Sequence, residues 1–92
     1  METSVKIKGD IRQYLAKAAL LDADAIKDDT LIFEEGLLDS MGLLFLVEFI
    51  KEKFDVDAND NELITENFES VNNISSFVCK KIDLKMVGKV TT

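Results

Sequence analysis

Apolar residues return every three or four positions along most of this 92-residue chain, and two acidic, turn-forming stretches break the rhythm. Ile7, Ile11, Tyr14, Leu15 and Ala18 have helical spacing, which predicts an amphipathic helix over residues 4–20. Residues 21–38, "LDADAIKDDTLIFEEGLL", follow as a long connector. Its Asp clusters disfavour helix, yet it carries Ile26, Leu31, Phe33, Leu37 and Leu38. A connector this long and this apolar is expected to pack onto the core, with room for a short helical turn.

A second helix is expected to start at Asp39 or Ser40 and end near Phe54. On a helical projection Leu43, Leu44, Ile50 and Phe54 fall within about 60° of Val47, so these five form the expected core stripe, which Leu46 widens. Met41, Phe45 and Phe49 form a row almost opposite. The connector either folds over that row or leaves it exposed. Residues 55–62, "DVDANDNE", read as polar turn. Leu63, Ile64 and Phe68 suit a short third helix. Ser70 can cap a fourth helix over residues 71–84, with Val71, Ile74, Phe77, Val78 and Ile82 inward. No strand-like alternation and no repeat occurs. The expected architecture is an all-α small four-helix bundle, with three main helices, a short third one and a long loop between the first two. One domain spans 1–92, with its core at about 5–84 and a frayed tail over 85–92.

Composition adds limits. The chain is 47% hydrophobic and 32% charged, as in ordinary globular proteins. Its N-terminus lacks the apolar stretch of a signal peptide, and the longest strictly apolar run, Leu43 to Val47, is too short for stable membrane insertion. A single cysteine, Cys79, makes no internal disulfide, which points to a cytoplasmic setting. The net charge of −7 is unevenly spread: residues 21–70 hold fifteen acids and three bases, while both flanks are net basic. Phosphates would be repelled by that middle segment, so nucleic acid is not an expected partner. Partners with basic patches are favoured.

The candidate chemistry lies in "GLLDSMGLL", residues 36–44. Asp39 is the better helix N-cap, because its carboxylate accepts backbone N–H bonds and favours the positive end of the helix dipole. Leu38 and Leu43 then suit a hydrophobic staple. Ser40 falls at the first helical position with its hydroxyl unspent, beside outward-pointing N–H groups that suit a phosphate. A serine nucleophile needs a base, yet the chain has no histidine.

Gly36, Leu38, Asp39, Ser40 and Met41, the run "LVEFIKEKFDV" and the segment "ENFESVNNISSFV" together resemble the acyl carrier protein family, including peptidyl and D-alanyl carriers. The resemblance covers residues of roughly 5–83. It implies that Ser40 receives 4′-phosphopantetheine from coenzyme A and that the arm carries an acyl or aminoacyl group as a thioester. Asp39 would cap the helix and be read by the phosphopantetheinyl transferase, which supplies the missing base. The chain would then be a non-catalytic monomeric carrier. Its other partners would be an acyl- or aminoacyl-activating ligase or synthetase and an acyltransferase or synthase. Family members serving fatty acid biosynthesis commonly place acids along the exposed side of the second helix. Here Gly42, Phe45, Lys51 and Lys53 stand where acids are expected, and Glu48 and Glu52 remain. That departure favours a specialised lipid or secondary-metabolite pathway, with Met41, Phe45 and Glu48 as the partner-binding face.

Two other readings compete. "DVDANDNELITE", residues 55–66, places Asp55, Asp57, Asn59 and Glu66 at positions 1, 3, 5 and 12 of an EF-hand calcium loop. Asp60 stands where the turn wants glycine, and Glu62 where an aliphatic residue is usual. A helical interaction module without a prosthetic group needs only the amphipathic faces. A hydrolase is disfavoured, since the chain has neither histidine nor a glycine-framed nucleophile elbow. Cys79, at the edge of the last apolar face, reads as a semi-buried packing residue.

Overall fold

A computed structural model describes the backbone of residues 2–91 and the side chains of residues 5–84. Four α-helices appear in chain order: α1 (Glu2–Ala19), α2 (Ser40–Phe54), α3 (Thr65–Phe68) and α4 (Val71–Thr91). Short 3₁₀ turns at Ala23–Ala25 and Asp60–Glu62 interrupt the two connectors. No strand occurs among the described residues, so the fold is the small all-helical bundle expected.

The core follows from helical periodicity. Ile7, Ile11, Leu15 and Ala16 line the buried side of α1, and Val71, Ile74, Phe77 and Val78 that of α4. These two helices pack against each other, and Phe68 of α3 seals the end beside Phe77, with ring centroids 5.2 Å apart. Ser70 starts α4 as expected: its Oγ accepts from the Asn73 N–H at 3.2 Å. The last helix runs to Thr91, past the expected end at residue 84. That stretch holds no proline, and Gly88 alone does not stop a helix.

On α2 the core stripe is rotated from its expected position. Leu46 and Ile50 are fully buried, while Leu43, Val47 and Phe54 pack at its margin. Leu44, expected inside, is 54% exposed. The cause is Phe49, whose ring stacks on Tyr14 of α1 at 4.3 Å and then meets Phe54 edge-on at 6.1 Å. Seating this aromatic toward α1 turns Leu44 outward. The sequence left open whether the connector covers Phe49 or leaves it exposed; part of its cover comes from Tyr14 of α1.

The first connector is pinned at three places. Arg12 donates from Nε to the Ile26 carbonyl at 3.0 Å, and its guanidinium pairs with Asp28. The Asn72 N–H donates to the Asp28 carbonyl at 2.9 Å. Ile32, with no exposed surface, is the third anchor: its N–H donates to the Glu69 carbonyl at 2.9 Å. Leu31, expected to pack inward, keeps 36% of its surface exposed, while its neighbour Ile32 is fully buried. In the second connector the polar turn buries Val56.

Candidate functional site

The approach to Ser40 is built from the Ile32 anchor. Its carbonyl accepts from Leu37 at 2.8 Å and from Leu38 at 3.3 Å, folding the chain back at Gly36. Gly36 has φ +75°, in the left-handed region that suits glycine. Leu38 then lies over Gly42: a Cβ added there would sit 3.0 Å from Leu38 Cδ2. A glycine one turn into α2 thus lets the connector lie close against the helix start. Leu38 and Leu43, the expected staple pair, both pack on the core margin.

Asp39 is the N-cap. Its backbone is extended and its Oδ1 accepts the Gly42 N–H at 2.8 Å. Ser40 is the first helical residue and is exposed, so its hydroxyl stays outside the cap. At this position the first-turn N–H groups have no intrahelical acceptor, which favours an anion at the helix start, and Asp39 takes up that of Gly42. Met41 and Phe45 each keep 61% of their surface, and Glu48 is also exposed. Leu44 joins them. The sequence reading had placed it inside, because a helical projection centred on Val47 ignores the Tyr14–Phe49 stack. The site therefore comprises a free hydroxyl at a helix start and three exposed large apolar residues within its first two turns.

Beside it runs an open groove of about 890 Å³, lined from α1 by Tyr14 and Ala18, from the connector by Phe33, Leu37 and Leu38, and from α2 by Ser40 and Phe45. This groove was not anticipated from the sequence. Its walls come from α1, the connector, α2 and Thr65 of α3, and only Phe33, Leu37 and Leu38 had been flagged as apolar connector residues.

The calcium-loop residues are engaged otherwise. Asp57 pairs with Lys51 at 3.5 Å, and Asn59 forms a reciprocal capping box with Glu62. Glu62 also meets Lys81 at 2.7 Å. The Asn59 N–H, and then Lys81, hold the Glu62 carboxyl below the usual glutamate range. Asp55 closes α2 in the left-handed conformation, and Glu66 has already entered α3. No group of three or more His, Cys, Asp or Glu is placed to hold a metal among the described residues. Cys79 is half-buried, as expected for a packing residue.

The geometry thus sets an exposed serine at the start of α2, with Asp39 as the helix cap and an open groove beside it. The phosphopantetheine attachment site family matches residues 9–78, and the chain belongs to that family. It is a carrier protein whose cofactor is covalent 4′-phosphopantetheine. Over 70 residues it is 33% identical to a D-alanyl carrier protein of Bacillus velezensis, covering 76% of this chain and 90% of that one. A D-alanyl carrier protein of Lactococcus lactis is 35% identical over 56% of this chain and 66% of its own length. An acyl carrier protein of Campylobacter jejuni is 32% identical over 58% of this chain and 69% of its own. Carriers of this family are generally non-catalytic and work with phosphopantetheinyl transferases and with ligases or synthases. The residues present fit the group: the Ser40 hydroxyl is exposed, lies outside the cap and stands at the positive end of a helix. Among the described residues no helix is long and apolar enough to cross a membrane.

Proposed function

We propose that Ser40 bears the phosphopantetheine arm and that the chain, as a single domain in the cytoplasm, presents an acyl or aminoacyl thioester to partner enzymes without catalysis of its own. The observation that carries this reading is the division of labour at the start of α2. Asp39 caps the helix through the Gly42 N–H, which leaves the exposed Ser40 hydroxyl free for substitution. In the attachment, the Ser40 Oγ–H proton goes to a base of the transferase. The Oγ–P bond forms as the pyrophosphate linkage of coenzyme A breaks, and the adenosine bisphosphate leaves. The arm's thiol supplies the sulfur for thioester formation.

Asp39 doubles as a recognition residue for the transferase. Met41, Phe45 and Glu48, extended by Leu44, form the face for a dedicated activating ligase or synthetase. Three exposed apolar side chains beside the serine suit a specialised pathway better than service to a general fatty-acid synthase, because such a face is read by packing more than by charge. The D-alanyl carriers among the relatives support an activating ligase as the loading partner.

Intact-mass measurement after incubation with coenzyme A, magnesium and a broad-specificity transferase tests the reading. One phosphopantetheine is expected on the wild-type chain and none on Ser40→Ala. An exposed first-turn serine contributes little to folding, so that variant should keep its stability to within about 0.5 kcal/mol. Asp39→Ala should cost about 1 kcal/mol through loss of the cap. Modification that persists in Ser40→Ala would overturn the assignment.

A further inference from the structure

We propose that a basic cleft between α1 and α2, beside the Tyr14–Phe49 stack, docks a carboxylate-bearing, apolar segment of the loading ligase. The inference rests on Ser40 as the attachment residue and on an activating ligase as the loading partner.

The cleft holds about 260 Å³ and is lined by Asp10, Gln13, Tyr14 and Lys17 of α1 and by Phe49 and Lys53 of α2. Small-molecule sites run to roughly 300–1,000 Å³, so this cleft suits a protruding side chain better than a separate ligand. Its charge sets it apart. The chain carries 18 acids and 11 bases, and Lys8, Arg12, Lys51 and Lys81 each pair with a carboxylate. Lys17 and Lys53 are exposed and have no ion pair among the described residues. Asp10 is the one carboxylate of the lining and pairs with neither, and Glu48 and Glu52 of α2 lie outside it. Each lysine stands in the last turn of its helix, where the dipole favours a cation. That accounts for each ammonium singly. It does not account for two helices bringing theirs to one cleft, where a partner's carboxylate relieves the repulsion.

The cleft also continues the face beside Ser40. Met41, Phe45, Phe49 and Lys53 recur every four residues, which aligns them along one side of α2 over about 18 Å. Met41 and Phe45 are exposed, and Tyr14 lines both this cleft and the groove beside Ser40. About three turns of a partner helix cover that length, apolar toward Ser40 and acidic toward Lys17 and Lys53. The net charge of −7 favours basic partners over the rest of the surface, so a contact of opposite sign here fixes the orientation of the docked enzyme.

The test uses the full holo chain, its phosphopantetheine confirmed by intact mass, and the loading enzyme purified from the host by its activity on that chain. Loading is measured for the wild type, for Lys17→Glu/Lys53→Glu, and for Lys27→Glu/Lys80→Glu, which makes the same change of net charge at two other exposed lysines. The expected result is a loss of about tenfold or more in kcat/KM for the first pair at low salt, narrowing at about 0.5 M salt, and a much smaller loss for the second. Lys17→Arg/Lys53→Arg should load as the wild type does. Unfolding midpoints check that the reversal leaves the fold intact, and if it does not, the neutral Lys17→Gln/Lys53→Gln pair gives the same readout, with a loss of about threefold. Carbodiimide coupling joins a lysine amine to a carboxylate as an amide, with the water taken up by the reagent. It should link Lys17 or Lys53 to an aspartate or glutamate of the enzyme. Unchanged loading by the charge-altered cleft, an equal loss in the control pair, or coupling through other lysines alone would overturn the docking assignment and leave the carrier reading standing. No phosphopantetheine on the wild-type chain would overturn the carrier reading, and the docking role with it.

Discussion

Tyr14 and Phe49 stack face to face, with ring centroids 4.3 Å apart and planes 19° from parallel. Tyr14 is the sole tyrosine, and burial raises its phenol above the ordinary value of 10.0. The folded chain thus disfavours the phenolate. Unfolded chains ionise first as the pH rises, so this residue's contribution to stability is intact below pH 10 and falls away above it. Phe49→Ala should remove the covering ring, lower the tyrosine titration midpoint in ultraviolet absorbance, and cost about 1–3 kcal/mol in denaturant unfolding. An unchanged midpoint would mean that the stack does not shield the phenol.

Leu20 ends α1 in the left-handed conformation, with φ 59° and 91% of its surface exposed. The closure is a Schellman motif: the Leu21 N–H reaches the Ala16 carbonyl at 2.8 Å, and the Leu20 N–H reaches that of Lys17 at 3.3 Å. Glycine is the residue this position favours, and little packing is lost when the leucine is removed. Leu20→Gly should therefore stabilise the fold by about 0.5–1 kcal/mol, read as a higher unfolding midpoint at unchanged slope. A destabilised variant would show that Leu20 packs against the body of the protein.

Glu62 links the second 3₁₀ turn to α4 through Lys81, whose ammonium also lies 5.7 Å from the Phe77 ring centre. The Asn59 N–H, followed by Lys81, depresses the Glu62 carboxyl below 4.5. Its stabilising effect is therefore complete above that value and lost as the pH falls through the lower folded-state one. Glu62→Gln should lower the melting temperature near pH 7, with the gap to the wild type closing as both are acidified below about pH 4. A gap that stays constant through acidification would assign the effect to geometry instead of charge.

Phe45 is 61% exposed little more than one turn beyond Ser40, and the exposed Met41 and Leu44 precede it on the helix. If this face selects the loading ligase, Phe45→Glu should cut loading efficiency by about tenfold or more while moving stability by no more than about 0.5 kcal/mol. Phosphopantetheinylation measured on the same variant separates the transferase from the ligase. A large stability loss with normal loading would place Phe45 in the core and remove the docking role.

The sequence by itself determined the four helices, their order and the serine at the start of the second. These are local properties. Ile7, Ile11 and Leu15 share one side of α1 whatever they pack against, and the Asp39 cap needs only the N–H of Gly42, three residues on. Ser70 likewise caps α4 through Asn73. Tertiary structure decided which way α2 faces. A helical projection weighs every apolar residue alike, so Leu44 reads as core and Phe49 as outer row. Partnership with Tyr14 buries Phe49 and sends Leu44 into solvent, next to Met41 and Phe45. The connector depended on the fold in the same way: Ile32 anchors it because the Glu69 carbonyl, 37 positions away, accepts its N–H. The groove beside Ser40 could be seen only in the folded chain, because α1, the connector and α2 each supply part of its wall and no segment holds its shape alone.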